Sequence, residues 1–148
     1  MLDLKSILDM WKDDCEISRN DLAESSRLTP TLHAKYLEIL STTKLNMKRA
    51  EFQQKTLLKN KWLYYNGKMD QSELEAFGWD PDPFQGLKVL KGEMEYYYDA
   101  DPEIQKSEEK IQYLKTIVDT LHEIVENIKW RHQTIGNMIK WRQFESGS

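Results

Sequence analysis

The sequence predicts an all-α protein whose long helices are joined by an irregular acidic connector. Its 148 residues include only four Pro and six Gly, which supply too few turns for a β-sandwich or a β-barrel. Apolar residues recur three and four positions apart over two long stretches, as they do along one face of an α-helix. Charged residues make up 31% of the chain and aromatic residues 11%, a combination typical of helices with long solvated faces and untypical of disorder.

The N-terminal part of the chain contains two predicted helices. The spacing of apolar residues predicts a short amphipathic helix over residues 3–14. A break follows at residues 25–30, where Thr29 can cap a new helix and Pro30 can take its first position. Neither Gly nor Pro recurs before Gly67, so one helix of about 35 residues is expected from this point. Polar residues interrupt its apolar seam, which favours packing within a domain over a free-standing coiled coil.

Residues 66–101 are predicted to form the acidic connector. An Asn-Gly pair ends the long helix, and two prolines in the middle of the segment exclude a helix there, because each restricts the residue before it. One helical turn near residues 71–77 and a short extended or helical piece near 87–98 are expected. If that piece is a strand, Tyr96 and Tyr98 share one of its faces.

The C-terminal part, residues 102–148, is predicted to be an oligomerisation helix. Asp101 can cap it, and the helix then runs about 42 residues to near Phe144. A heptad row of apolar residues has a second row beside it, which allows contacts with neighbours on both sides, as in a helical bundle or ring. Little other apolar surface is evident to cover both rows, so obligate homo-oligomerisation is expected. The predicted oligomerisation residues are Ile111, Leu114, Ile117, Val118, Leu121, Ile124, Val125, Ile128, Ile135, Met138 and Ile139.

No pattern typical of catalysis, of metal binding or of a cofactor site occurs in the sequence. It contains no Gly-rich nucleotide loop, its three His residues lack metal-ligand spacing, and its paired acids lie on predicted solvated faces. The single Cys15 excludes an internal disulfide. No secretory pattern opens the chain, and no apolar run approaches the roughly 18 residues of a membrane span. We therefore expect a soluble, intracellular protein that is not an enzyme, carries no cofactor and does not enter a membrane.

The charge is distributed unevenly, although the formal net charge is -4. Residues 44–68 carry seven basic residues and one acid, a net charge of +6, and residues 127–144 carry four basic residues and no acid, a net +4. Lysines beside aromatic residues supply what a single strand requires, namely charge for its backbone and ring faces for its bases. Binding of single-stranded DNA by the N-terminal region, residues 1–100, is therefore one interpretation of these residues, and the family resemblance described below favours it. The predicted DNA-binding residues are Lys44, Lys48, Arg49, Lys55, Lys59, Lys61, Trp62, Tyr64, Tyr65 and Lys68.

Other interpretations of these residues remain open. The lysines can be a solvated helix face, and the aromatic residues can belong to the core. Lys61 points towards the apolar seam, so either its stem lies along the seam or the helix ends nearby. The rival functions are a helical oligomeric adaptor or scaffold that binds no DNA, and a scaffold that binds an acidic protein through the same lysines.

The segment LKNKWLYYNG at residues 58–67 resembles the LKARLDYYSG motif of the UvsY-like recombination mediators of T4-like bacteriophages. The C-terminal segment from Ile111 to Gly147 is similar to the tail of the same family, and the resemblance extends over essentially the whole chain. The two basic positions of the motif correspond to Lys59 and Lys61. Lysine in place of arginine at position 61 keeps the charge but loses bidentate phosphate geometry.

This resemblance implies a non-enzymatic accessory protein of homologous recombination and repair. Proteins of this family bind single-stranded DNA as rings of six or seven subunits. They help displace the single-strand-binding protein, and they load and stabilise UvsX, the RecA-like recombinase of the phage. The implied partners are thus single-stranded DNA, the recombinase, the phage single-strand-binding protein and further copies of the chain, in the cytoplasm of the infected bacterial host. The acidic residues 70–109 are the predicted surface for the protein partners.

Overall fold

The structure, a computed structural model, describes residues 2–147 and has no strand among them. The predicted all-α fold class is confirmed. The helices are α1 (Leu4–Asp14), α2 (Leu22–Arg27), α3 (Thr29–Tyr65), α4 (Gln71–Phe77), α5 (Met94–Asp99) and α6 (Pro102–Glu145), with a 3-10 turn at Lys91–Glu93. None of these helices, within the residues described, combines the length and the apolar character needed to span a bilayer.

The chain forms two compact units. Unit 1 comprises Met1–Asn46 and Leu114–Ser148, and unit 2 comprises Met47–Tyr113. This division differs from the predicted regions 1–100 and 102–148, because the two long helices each contribute residues to both units.

Aspartate caps set the starts of four helices. The carboxylates of Asp3, Asp21 and Asp70 each accept a hydrogen bond from a first-turn N–H of α1, α2 and α4, at 2.7, 3.0 and 2.9 Å. Asp101 does the same for α6, where its Oδ1 accepts from the N–H of Glu103 at 2.9 Å and from a second first-turn N–H at 3.1 Å. The predicted start of the C-terminal helix is therefore confirmed, and it runs for 44 residues.

The predicted break at residues 25–30 is much shorter in the structure. Leu28 alone separates α2 from α3, and Thr29 already lies in α3. The Thr29 Oγ1 donates to the carbonyl of Ser25 at 3.4 Å, so it does not cap the helix as predicted. The helix that begins here has 37 residues, close to the expected length.

Unit 1 contains an apolar core with polar contacts at its edge. Ile7 of α1 and Tyr36 of α3 are fully buried, and the Tyr36 ring meets Trp11 edge-on at 5.4 Å between centroids. The Tyr36 hydroxyl donates to Asp14 Oδ2 at 2.8 Å, and Lys35 Nζ lies 2.6 Å from the same oxygen. Burial raises the pKa of Asp14, but these hydrogen bonds outweigh it, so the pKa lies below its ordinary value.

Both apolar rows of α6 are covered by the chain's own helices. Of the eleven residues predicted for oligomerisation, nine are buried within the single chain: Ile111, Leu114, Ile117, Val118, Leu121, Ile124, Val125, Ile128 and Ile135. Met138 is half-buried and Ile139 is exposed. The expectation that one copy lacks the surface to cover these rows is therefore wrong, because nine of the side chains are already buried with one copy present.

Unit 2 contains an aromatic cluster where an irregular connector was predicted. Helix α3 ends at Tyr65, and Gly67 follows with a positive φ of 67°, a conformation that costs glycine little. The predicted turn at 71–77 is α4, and the proline-containing loop after it is not helical. Residues 94–99 are helical rather than extended, so Tyr96 is exposed while Tyr98 meets the ring of Tyr65 at 5.3 Å.

Candidate nucleic-acid interface

Three exposed lysines of unit 2 form a row on one face of α3. At roughly 100° per residue, Lys48, Lys55 and Lys59 fall within an arc of about 40°. Lys48 Nζ lies 3.4 Å from a carboxylate oxygen of Glu51, which partly neutralises it. Neither Lys55 nor Lys59 has a carboxylate partner within residues 2–147. Their charges are therefore available to a polyanion in solvent.

The other predicted basic residues are placed less uniformly. Lys44 is exposed on the part of α3 that belongs to unit 1. Arg49 is exposed in unit 2 but lies about 100° around the helix from Lys48. Lys68 follows the end of α3, and its Nζ lies 4.5 Å from the ring centroid of Trp62.

Two exposed aromatic rings lie in the row of lysines. Trp62 is 46% exposed, as the sequence interpretation requires, and Phe52 is 56% exposed. The Nζ atoms of Lys48 and Lys55 lie 5.3 and 5.7 Å from the Phe52 ring centroid. Phe52 was absent from the predicted site. The sequence does contain a signal for it, because Phe52 lies four residues after Lys48 and three residues before Lys55, spacings that bring side chains together on a helix.

Lys61 is buried, against the expectation that it faces DNA. Its residue is 4% exposed, and its Nζ lies 3.0 Å from Asp101 Oδ2 and 3.3 Å from Glu103 Oε1. The same ammonium group lies 3.9 Å from the ring centroid of Trp79, a close cation–π contact. The charge of Lys61 is therefore paired with carboxylates of the same chain rather than exposed to solvent.

Tyr64 and Tyr65 are also buried in the cluster of unit 2. The Tyr65 hydroxyl donates to Asp101 Oδ2 at 2.6 Å, and the Tyr64 hydroxyl donates to the carbonyl of Asp80 at 2.7 Å. Burial, followed by nearby carboxylates, raises the pKa of both hydroxyls. Their rings pack against Trp79 and neighbouring tyrosines, so the expectation that they offer free faces to bases is corrected.

Asp101 joins these buried groups. It is 3% exposed, caps α6, and accepts hydrogen bonds from both Lys61 and Tyr65. Burial raises the pKa of the Asp101 carboxyl, but the hydrogen bonds from Tyr65, from main-chain N–H and from Lys61 outweigh it, and the pKa lies below its ordinary value. The Asp101 carboxyl group therefore stays ionised at neutral pH.

The second basic stretch, residues 127–144, offers less free charge than its composition suggests. Arg131 is buried, and its Nη atoms lie 3.4–3.5 Å from main-chain carbonyls of Cys15, Glu16 and Ser25. Arg142 donates to the carbonyl of Arg19. These two arginines thus connect α6 to the N-terminal segment within unit 1 through hydrogen bonds to main-chain carbonyls.

Exposed rings occupy the same stretch. Trp130, Trp141 and Phe144 are each more than half exposed, and Ile139 is exposed beside them. The rings of Trp141 and Phe144 lie 5.5 Å apart, edge to face. No grouping of His, Cys, Asp or Glu suited to a metal ion occurs in the part of the chain that the structure describes.

Comparison with known proteins places these features in a family. The model of a family described as "Recombination, repair and ssDNA binding protein UvsY" matches residues 10–148. The recombination protein uvsY of Enterobacteria phage T4 is 28% identical over 144 residues, which are 97% of this chain and 98% of that protein.

Solved structures agree over the same length. The lattice type II crystal structure of the bacteriophage T4 recombination mediator protein UvsY matches with a TM-score of 0.82 and 27% identity, covering 99% of each chain. The lattice type IV structure matches with a TM-score of 0.79 and 26% identity, covering 97% of this chain and 99% of that one.

Proposed function

Because the chain belongs to the UvsY family of recombination, repair and ssDNA-binding proteins, we propose that it is a recombination mediator that binds single-stranded DNA. A mediator acts by holding and presenting a strand rather than by bond chemistry, and the chain is accordingly not an enzyme. The observation that carries this function is the row of Lys55 and Lys59, which have no carboxylate partner among the described residues. Such charges release counterions when they meet phosphates.

A homo-oligomer of six or seven copies is the proposed active form. Most of the apolar surface of α6 is already buried within one copy, so the contact between copies uses what remains exposed. Trp130, Ile139, Trp141 and Phe144 provide exposed apolar surface within one stretch of that helix, the kind of surface that marks protein contacts. A ring multiplies a weak site on each subunit into strong binding through avidity.

Loading of a RecA-like recombinase is the proposed outcome of this binding. An oligomer that holds the strand at many weak sites competes with the phage single-strand-binding protein for the phosphates of that strand. Displacement of the single-strand-binding protein then frees the strand for the UvsX-like recombinase. We place this activity in the cytoplasm of an infected bacterium. The acidic residues 70–109, with exposed Leu87, Leu90 and Tyr96 among them, are the proposed surface for the protein partners.

Salt-dependent binding tests the proposal. Fluorescence anisotropy of labelled poly-dT, titrated with salt against a duplex competitor, should show a preference for the single strand. The slope of log K against log salt should be about -0.7 for each phosphate contacted. The double variant Lys55→Ala/Lys59→Ala should make that slope shallower by about 0.7 for each phosphate that is no longer neutralised.

The matched control removes two exposed lysines of the connector, as Lys88→Ala/Lys91→Ala, and should leave the slope unchanged. If a confirmed oligomer fails to bind poly-dT at low salt, the DNA-binding function is excluded and an adaptor or scaffold is the better description. If both double variants have the wild-type slope, the strand binds elsewhere on the protein.

A further inference from the structure

We propose that Phe52 is a base-stacking residue that, together with Trp62, provides two ring contacts for a single strand along α3. The inference rests on the single-strand-binding function proposed above and adds the chemistry by which the bases are recognised. The face of an aromatic ring forms no conventional hydrogen bond with the edge of a base. The proposed contact is therefore stacking on the π surface, which every base has.

Phe52 does not belong to the core of unit 2. Its residue is 56% exposed, whereas Ala50, two positions earlier, is 4% exposed. Two positions correspond to about 200° around a helix, so Phe52 projects from the side opposite to the buried face. The part of Phe52 that stays in water adds no hydrophobic stabilisation to the unit, because apolar surface stabilises a fold only when it is removed from water.

The charges around Phe52 match a nucleotide. Lys48 and Lys55 precede and follow it by about one helical turn, and their Nζ atoms lie within 6 Å of the ring centroid, at 5.3 and 5.7 Å. Both ammonium groups lie over the Phe52 ring, so a base that stacks there takes the place of a cation–π contact and leaves ammonium groups nearby for its phosphates. The pairing with Glu51 leaves Lys48 the weaker of the two phosphate contacts.

The same arrangement recurs ten residues later. Trp62 is 46% exposed, with Lys59 three positions before it and Lys68 Nζ at 4.5 Å from its ring centroid. At 1.5 Å per residue the two rings are about 15 Å apart along the axis of α3. Lys55 and Lys59 lie between the two rings on the same side of the helix, as expected for a strand that follows the helix rather than crosses it.

Other exposed rings of unit 2 lack these neighbours. Phe77 stacks on Trp79 at 4.4 Å, so one of its faces is occupied. Tyr96 is 75% exposed but lies in a helix beside Glu93 and Glu95. Among the described residues of this unit, only Phe52 and Trp62 combine an exposed ring with a lysine ammonium within 6 Å.

The experiment compares two ligands of equal length, labelled poly-dT and a labelled abasic deoxyribose phosphate oligomer. Wild-type protein should bind poly-dT more tightly, because only that ligand has bases to stack. Phe52→Leu keeps an apolar side chain without the ring. It should weaken poly-dT binding by about 5- to 150-fold per engaged base while leaving abasic binding and the salt slope unchanged. Phe52→Trp should restore poly-dT affinity.

Two matched variants separate stacking from other effects. Tyr96→Leu removes an exposed ring outside the row and should bind both ligands like wild type. Lys55→Ala should weaken binding of both ligands and make the salt slope shallower by about 0.7 for each phosphate that is no longer neutralised. Circular dichroism and velocity sedimentation of Phe52→Leu should match wild type.

The failures are distinguishable. Absence of poly-dT binding by wild-type protein at low salt overturns the proposed function as a whole. Binding of poly-dT with equal affinity for the abasic oligomer, or wild-type affinity in Phe52→Leu, overturns the stacking role alone. A smaller oligomer in Phe52→Leu also overturns it, because the ring then serves a subunit contact.

Discussion

Replacing Lys61 with methionine is expected to destabilise the fold without changing the salt dependence of DNA binding. Methionine fills a similar volume but lacks the ammonium group that lies 3.0 Å from the buried carboxylate of Asp101. Removing one partner of a buried ion pair costs about 3–5 kcal/mol, because the other charge is left uncompensated. The hydrogen bonds that Asp101 keeps, from Tyr65 and from main-chain N–H, place this change at the lower end, about 3 kcal/mol.

Thermal unfolding followed by circular dichroism, at fixed protein concentration and neutral pH, measures this cost. A loss of about 3 kcal/mol should lower the midpoint by roughly 6–12 °C in a chain of this size. Anisotropy with poly-dT, at a temperature where both proteins are folded, should give the wild-type salt slope, because Lys61 contacts carboxylates and not phosphates. Lys59→Ala should do the opposite, with an unchanged midpoint and a slope shallower by about 0.7 per phosphate.

The double variant Lys61→Met/Asp101→Asn is the control for the electrostatic argument. Asparagine keeps a side-chain oxygen that can cap α6 but carries no charge, so part of the lost stability should return. The reasoning is refuted if Lys61→Met unfolds at the wild-type temperature and has a shallower salt slope, since that is the behaviour of a lysine on a phosphate.

Three further outcomes can be measured separately. The pKa values of Asp14 and Asp101 in the folded protein lie below their unfolded values, so both carboxylates stabilise the fold fully at neutral pH. Denaturant unfolding should show that this stabilisation is lost as the pH falls from about 3.8 towards the lower folded pKa values. Leu121→Ala, at a fully buried position, should lower the free energy of unfolding by about 2–5 kcal/mol. Trp141→Ser, at an exposed position, should instead keep the helical circular dichroism signal and lower the sedimentation coefficient of the oligomer. Gly67→Ala should cost about 1–2 kcal/mol in the same unfolding assay, through its positive φ of 67°. No steric clash is expected, because no atom beyond the two neighbouring residues lies within 4 Å of the added Cβ.

Helix starts and the fold class were predictable because their causes are local in sequence. Asp101 caps α6 through N–H groups two and three residues away, and the Asn-Gly pair after Tyr65 ends α3 through the conformation of one glycine. Even so, Thr29 shows the limit of such rules. It has a good capping side chain but lies inside α3, because only Leu28 separates it from the end of α2 at Arg27.

The burial of site residues was not predictable, because it depends on partners distant in sequence. Helical periodicity places Lys61 at the apolar seam, but nothing near position 61 indicates that Asp101, 40 residues later, provides a counter-charge. The apolar rows of α6 posed the same difficulty. Periodicity predicts that Leu121 faces an apolar surface, but it does not tell whether that surface belongs to the same copy or to another.

The position of Asp101 also has a consequence for how unit 2 opens. One carboxylate group holds the end of α3, through Lys61 and Tyr65, and the first turn of α6, through two main-chain N–H groups. Neither of these helix ends can fray alone without leaving that buried charge short of donors. Native-state hydrogen exchange of amides in the last turn of α3 and the first turn of α6 therefore belongs to one cooperative opening event, with one free energy.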